Sequence, residues 1–225
     1  RSAMRKFRSA EHHLTIALEQ LAAVGITSVQ DNTWLPSIVG HYRRFAREGR
    51  LTVRIGCWSY GELPYGEPLM SLRRFDDEWI RRGPVKLFLD GTFSTRTAWL
   101  VDGYPDDPEH HGTASHDQQW LDRAISRYVR RGRQVAAHAI GDGAVRSYVD
   151  AVERAAQRRP GARELRIRVE HGQLFHPDDL PRMAGLGMLA AAQPHAAVNP
   201  EKDRAILGDA LHARAYPPRK HNRPS

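Results

Sequence analysis

The chain has a single cysteine, Cys57. No disulfide can close within it, and a zinc site built from cysteine pairs is excluded. One thiol in a chain of this length suits a reducing compartment, so a cytoplasmic location is the expectation. Long apolar runs are missing too: nothing approaches the ~18 consecutive apolar residues of a membrane-spanning helix. Lysine is scarce, for of the 34 Lys and Arg residues only four are lysines, Lys6, Lys86, Lys202 and Lys220. No Gly-x-Gly-x-x-Gly motif follows the first β-like run, which argues against a dinucleotide-binding sheet. No His-x-His occurs anywhere. Residue 1 is Arg rather than Met, so a preceding segment, with any targeting signal, is expected to lie outside the sequence.

What is present suffices for one domain. At 225 residues the chain is slightly shorter than the ~250 of a complete (β/α)₈ barrel. Its hydrophobic share of 40% is enough to build a core and argues against general disorder. The formal charge of +8 invites a nucleic-acid reading. The distribution opposes it. Arginines are interleaved with acids, as in Arg73-Arg74 beside Asp76-Asp77-Glu78, and only Arg219-Lys220-His221-Asn222-Arg223 forms a small basic cluster. The expectation is a solvated, arginine-rich surface that binds no specific nucleic acid and no membrane.

Apolar β-like runs alternate with amphipathic helical runs. A helix is expected over Glu11–Val24, with Leu14, Leu18, Leu21 and Ala22 on one face and Gly25 as its stop. Ile26–Val29 then reads as a strand, Leu35–Arg47 as a helix ending at Gly49, and Leu51–Trp58 as a strand. Met70–Arg82 reads as a helix closed by Gly83-Pro84, and Val85–Asp90 as a strand. A long Gly/Pro-containing loop, Gly91–Ala114, leads to a helix running to Arg131, for which Ser115 and Gln118 form a capping-box pattern. The remaining strands are Gln134–His138, Leu165–Glu170 and Met188–Ala192. The remaining helices are Ala144–Gln157, Pro177–Ala184 and Glu201–Ala213. Six strands in β–α alternation mean a parallel sheet with crossover helices, in one domain.

In such architectures chemistry gathers at the carboxyl ends of the strands. Lys86 is a lone lysine inside an apolar strand of an arginine-rich chain. Unlike arginine it can lose its proton, act as a base, form a Schiff base or be carboxylated into a metal ligand; paired with a buried carboxylate it would be merely structural. Asp90 shares its strand face by the period of two. His138 and His171 stand at the ends of the next two strands, and Gln193-Pro194-His195 at the end of the last. A single such histidine is more often a satisfied core residue. Three successive strand ends carrying Lys86, His138 and His171 suit a divalent ion such as Zn²⁺. Asp142, just after His138, suits a helix N-cap.

Five stretches, in order and spacing, carry a resemblance over nearly the whole chain: Gly25-Ile-Thr-Ser-Val-Gln-Asp31, Val85-Lys-Leu-Phe-Leu-Asp-Gly91, His138-Ala-Ile-Gly-Asp142, Glu170-His-Gly-Gln173 and Gln193-Pro-His195. The set resembles family 3 of the amidohydrolase superfamily, the YtcJ-like branch. The resemblance implies an α/β fold, an incomplete (β/α)₈ TIM-type barrel showing strands two to seven. It implies a centre of one or two divalent ions at the mouth, with Lys86 as a carboxylated ligand and His138 and His171 as imidazole ligands. The implied reaction is hydrolysis of a carbon–nitrogen bond other than a peptide bond by a metal-activated water.

Two departures stand out. The family's strand-one His-x-His is not in this sequence, and nothing matches its strand-eight aspartate. The chain after Arg214-Ala-Tyr-Pro-Pro-Arg219 ends in Lys220–Ser225. The expectation is a fragment with impaired activity, open at two strand edges and prone to aggregate; the alternative is a non-catalytic remnant. The loop Gly91–Ala114, with Phe93, Arg96, Trp99 and Tyr104, is expected to help shape the pocket. Arg96 would bind an anionic group of a small-molecule substrate or pair with Asp102 or Asp106, and Asp90 and His195 are further candidates for substrate binding. A homo-oligomer is compatible with the sequence.

Overall fold

Glycine turns the chain from helix to strand twice. Gly25 (φ 73°) follows helix α1, Ser2–Ala23, and Gly49 (φ 66°) follows α2, Pro36–Arg47. A left-handed residue at a helix end is reached by glycine without a Cβ clash. In this computed structural model residues 2–32, 36–62, 77–193 and 200–215 are described. The strands are β1 Ser28–Asp31, β2 Arg54–Tyr60, β3 Ile80–Phe88, β4 Val135–Ala139, β5 Arg168–His171 and β6 Leu189–Ala192. The later helices are α3 Gln118–Arg130, α4 Asp142–Arg158, α5 Asp179–Gly185 and α6 Pro200–His212, with a 3₁₀ turn at Pro160–Leu165. The strands follow one another in the sheet in chain order, β1-β2-β3-β4-β5-β6, and the β1–β2, β2–β3, β4–β5 and β5–β6 registers are parallel. Helices α2, α3, α4 and α5 lie between β1 and β2, β3 and β4, β4 and β5, and β5 and β6, as in part of a (β/α)₈ barrel. Among the described residues no helix is long and apolar enough to cross a membrane.

The chain divides into two compact units, residues 1–86 and 87–225. In the first, Leu18 of α1 and Val39 and Phe45 of α2 pack on Val53, Ile55, Cys57 and Ile80. Leu14 and Leu21 join them, whereas Ala22 is exposed. The β2–β3 register runs Cys57↔Arg82 and then Ser59↔Val85, two steps on β2 against three on β3. The extra residue is a bulge at Gly83-Pro84. Pro84 has no N–H to give a ladder, and a Cβ on Gly83 would lie 2.5 Å from Trp58 Cδ1. The helix expected over Met70–Arg82 is therefore corrected: from Ile80 the chain is strand, and it continues through the Gly-Pro pair. Residues 70–76 lie outside the described residues.

In the second unit β4 is buried on both faces, with Val135, Ala136, Ala137 and Ala139 each 0% exposed, as parallel strands under helices are. Helix α4 lays Ala144, Val145, Tyr148, Val149 and Val152 into this core. The capping box expected from Ser115 and Gln118 does not form. Asp117 is the N-cap of α3 and accepts from Trp120 N at 2.6 Å. Ser115 N instead donates to Leu89 O at 2.9 Å, and Gln118 Nε2 donates to Asp122. Strand β3 ends at Phe88, so Asp90 stands beyond it. Residues 165–167 are not strand, because Pro160–Leu165 coils as a 3₁₀ helix. Gly208 (φ 63°) breaks α6.

Candidate metal centre

The β4–β5 register pairs His138 with Glu170 and Ala139 with His171. By alternation along a strand, His138 and His171 would therefore point to opposite faces. They do not. His171 has φ 71°, a left-handed conformation uncommon for a side-chain-bearing residue. With it the two rings come edge to face, with centroids 4.5 Å apart and planes at 62°. Backbone strain at a strand end, bringing two imidazoles together, is the kind of outlier that collects at functional sites. Sequence alternation alone gives no sign of it.

Both rings are also held from outside. His138 Nε2 lies 2.9 Å from Gly91 O. A carbonyl oxygen only accepts, so Nε2 carries the hydrogen and the lone pair is on Nδ1. His171 Nδ1 lies 2.8 Å from Gln193 Oε1. Gln193 opens the Gln193-Pro194-His195 stretch, and its residue type alone assigns it no role; a polar residue closing an alanine-lined strand end is the available signal.

Asp90 fastens the same strand ends. Its carboxylate accepts backbone N–H groups from Ile140 at 3.0 Å, Gly141 at 2.8 Å and Trp99 at 3.1 Å, and it stands 3.5 Å from His138 Nε2. Burial pushes this carboxyl up to about 7, against the opposing pull of the Gly141, Ile140 and Trp99 N–H groups. Both oxygens are thus engaged by the backbone. Asp142 is corrected from N-cap to clamp. The N-cap of α4 is Gly141, without a side-chain bond. Asp142, in the first turn, accepts from Val101 N at 3.0 Å and from Arg214 Nη2 at 2.7 Å.

Of the other candidates, Lys86 lies in the first unit on β3, 5% exposed, with its backbone carbonyl accepting from Gly61 N. An ammonium that deep requires a partner, a modification or loss of its proton. Arg96 forms a bidentate pair with Asp106 at 2.7 and 2.9 Å, the structural one of its two readings, and lies over the Tyr104 ring. Phe93 and Tyr104 are core residues rather than pocket lining, 2% and 0% exposed. His195 lies outside the described residues, as does the basic cluster 219–223. Glu170, buried and bonded to Arg168 at 2.6 Å, shares the face of His138. Among the described residues no group of three or more His, Cys, Asp or Glu is gathered in the manner of a metal site. Two converging imidazoles, one with its tautomer fixed by a backbone carbonyl, are nevertheless donors that suit a divalent ion.

Residues 4–221 match the sequence model of the Amidohydrolase family. The chain belongs to the amidohydrolase family. This amidohydrolase chain is 32% identical over 125 residues to YtcJ of Bacillus subtilis (strain 168), provisionally named an amidohydrolase, covering 56% of the chain and 23% of YtcJ. It is 35% identical over 117 residues to Protein LONG AFTER FAR-RED 3 of Arabidopsis thaliana, covering 52% of the chain and 20% of that protein. Its fold is similar to a crystal structure described as an uncharacterized metal-dependent hydrolase from Pyrococcus furiosus, with TM-score 0.78 and 31% identity over 92% of the chain and 42% of the hydrolase. The amidohydrolase chain thus spans less than half the length of these proteins.

Proposed function

We propose that the chain carries part of the metal centre of a hydrolase that cleaves carbon–nitrogen bonds other than peptide bonds in small molecules. The observation that supports this best is the His138–His171 pair, brought to 4.5 Å by the left-handed backbone of His171. The two rings are the imidazole ligands, and the family resemblance adds Lys86 as a carboxylated one. When bound, a divalent ion, here taken as Zn²⁺, supplies Lewis acidity toward a water and a carbonyl-type oxygen. The chain's own residues orient: Gly91 O holds the His138 ring, and Asp90 fixes the backbone beyond His138 through Ile140 and Gly141. Activity of this chain alone is proposed to be impaired, since its sequence holds no His-x-His. A cytoplasmic enzyme without nucleic-acid partners fits the single cysteine and the interleaved charges.

A second reading is a non-catalytic remnant, in keeping with a sequence that holds no His-x-His. Elemental analysis separates the two. The metal-centre reading expects about one equivalent of zinc in the purified chain, lost in Lys86→Ala and His171→Ala. No metal in the unmodified chain would leave the remnant reading standing.

A further inference from the structure

We infer that Gln193 is a positioning residue whose Oε1 accepts the Nδ1 hydrogen of His171 and so fixes the tautomer of that ring. The inference rests on the metal-centre reading and goes beyond it by naming the residue that sets the His171 ring, Gln193 at the neighbouring strand end. For His138 the chemistry leaves no choice. Gly91 O, 2.9 Å from Nε2, cannot donate. His138 is the Nε2–H form, with its lone pair on Nδ1.

His171 is held at its other nitrogen. Nδ1 meets Gln193 Oε1 at 2.8 Å, and an amide oxygen facing a ring nitrogen demands N–H there. The lone pair then falls on Nε2. His138 lies within β4, while His171 is the last residue of β5, turned by its φ of 71°. Gln193, one residue past β6, therefore reports the strand end of β6 to the ring at the end of β5, one strand away in register. Outer hydrogen bonds of this type fix ring orientation and typically account for 10–100-fold in metal affinity.

The test is the tautomeric state of each histidine, read by long-range ¹H–¹⁵N NMR of the metal-free, ¹⁵N-histidine-labelled chain at alkaline pH. His138→Gln and His171→Gln variants assign the signals. The expected result is Nε2–H for His138 and Nδ1–H for His171. An Nε2–H form for His171 in the unmodified chain overturns the inference without any variant. In Gln193→Leu the His171 signals shift toward the Nε2–H form while those of His138 stay. Gln193→Glu, which keeps an acceptor, retains the Nδ1–H form. Unchanged His171 signals in Gln193→Leu would also overturn it. Zinc titration of the same samples should show 10–100-fold weaker binding in Gln193→Leu. If the unmodified chain binds no zinc yet shows both tautomers as stated, the metal-centre reading fails and the positioning role of Gln193 stands.

Discussion

Asp142 distinguishes a helix cap from a three-way clamp, and the two roles differ measurably in energy. If Asp142 only capped α4, Asp142→Ala would cost about 1 kcal/mol. The structure gives it two partners outside the helix: Val101 N at 3.0 Å on one oxygen and Arg214 Nη2 at 2.7 Å on the other. The carboxylate is 2% exposed and the Arg214 side chain 26%. Removing the carboxylate leaves the Val101 N–H without its acceptor, worth about 1–3 kcal/mol. It also leaves a guanidinium that is only partly desolvated, so the 3–5 kcal/mol typical of breaking a fully buried pair is an upper limit. The sum is about 3 kcal/mol. Asp142→Asn should recover little of it, because both partners are donors and an amide offers one oxygen. Urea unfolding followed by circular dichroism gives the stability, and a double-mutant cycle with Arg214→Ala isolates the ion pair, with a coupling of about 1–2 kcal/mol expected. Hydrogen exchange at the Val101 amide should accelerate in Asp142→Ala. A loss near 1 kcal/mol with Val101 protection unchanged would return Asp142 to the role of a cap.

Two further substitutions probe the same strand ends. A Cβ on Gly141 would stand 2.0 Å from Trp99 O, so Gly141→Ala forces backbone apart from backbone and should cost about 2–3 kcal/mol in urea unfolding; a neutral outcome would mean that the Trp99 segment yields freely. Asp90 makes stability depend on pH. Its carboxyl is raised from 3.8 to about 7, so its contribution is present in full below pH 3.8 and lost as pH rises through about 7. In the metal-free chain, the unfolding free energy relative to Asp90→Asn should fall by up to about 4 kcal/mol across that window. A difference that rises with pH would show that the three N–H donors outweigh burial and hold the carboxylate ionised.

The order of strands and helices was legible because glycines punctuate it and the apolar period changes from 3.6 to 2 between them. The parallel sheet followed from the alternation, and His138 and His171 from their places at strand ends. What escaped depends on contacts between segments distant in sequence. Gly83-Pro84 looked like a helix stop; only the partner strand shows that a bulge absorbs the proline. Asp117 and Ser115 are both good caps by type, and Ser115 is engaged elsewhere through its backbone bond to Leu89. The left-handed φ of His171 leaves no trace in residue type, and it undoes the strand parity from which its direction would be inferred. Gln193 meets its histidine across 22 residues of chain, a distance at which no local pattern operates.

The loop from Gly91 to Ala114 is held more firmly than its irregular backbone suggests. Long irregular loops at barrel mouths are commonly mobile lids, but this one is built like core. Phe93, Ala98, Leu100 and Tyr104 are at most 2% exposed and pack with Ile140, Leu174 and Leu207. Asp90 takes the N–H of Trp99, Asp142 that of Val101, and Trp99 O accepts from Gly143 N at 3.0 Å. Two buried carboxylates, each set just past a strand or at a helix start, thus staple consecutive turns of the loop to the β4–α4 corner. The loop in turn presents Gly91 O to His138. A displacement of the loop would therefore release the imidazole, cost the buried N–H bonds, and expose core. The loop is then expected to behave as a fixed part of the core rather than as a closing lid, and hydrogen exchange of the Trp99 and Val101 amides as slow as that of β4 would bear this out.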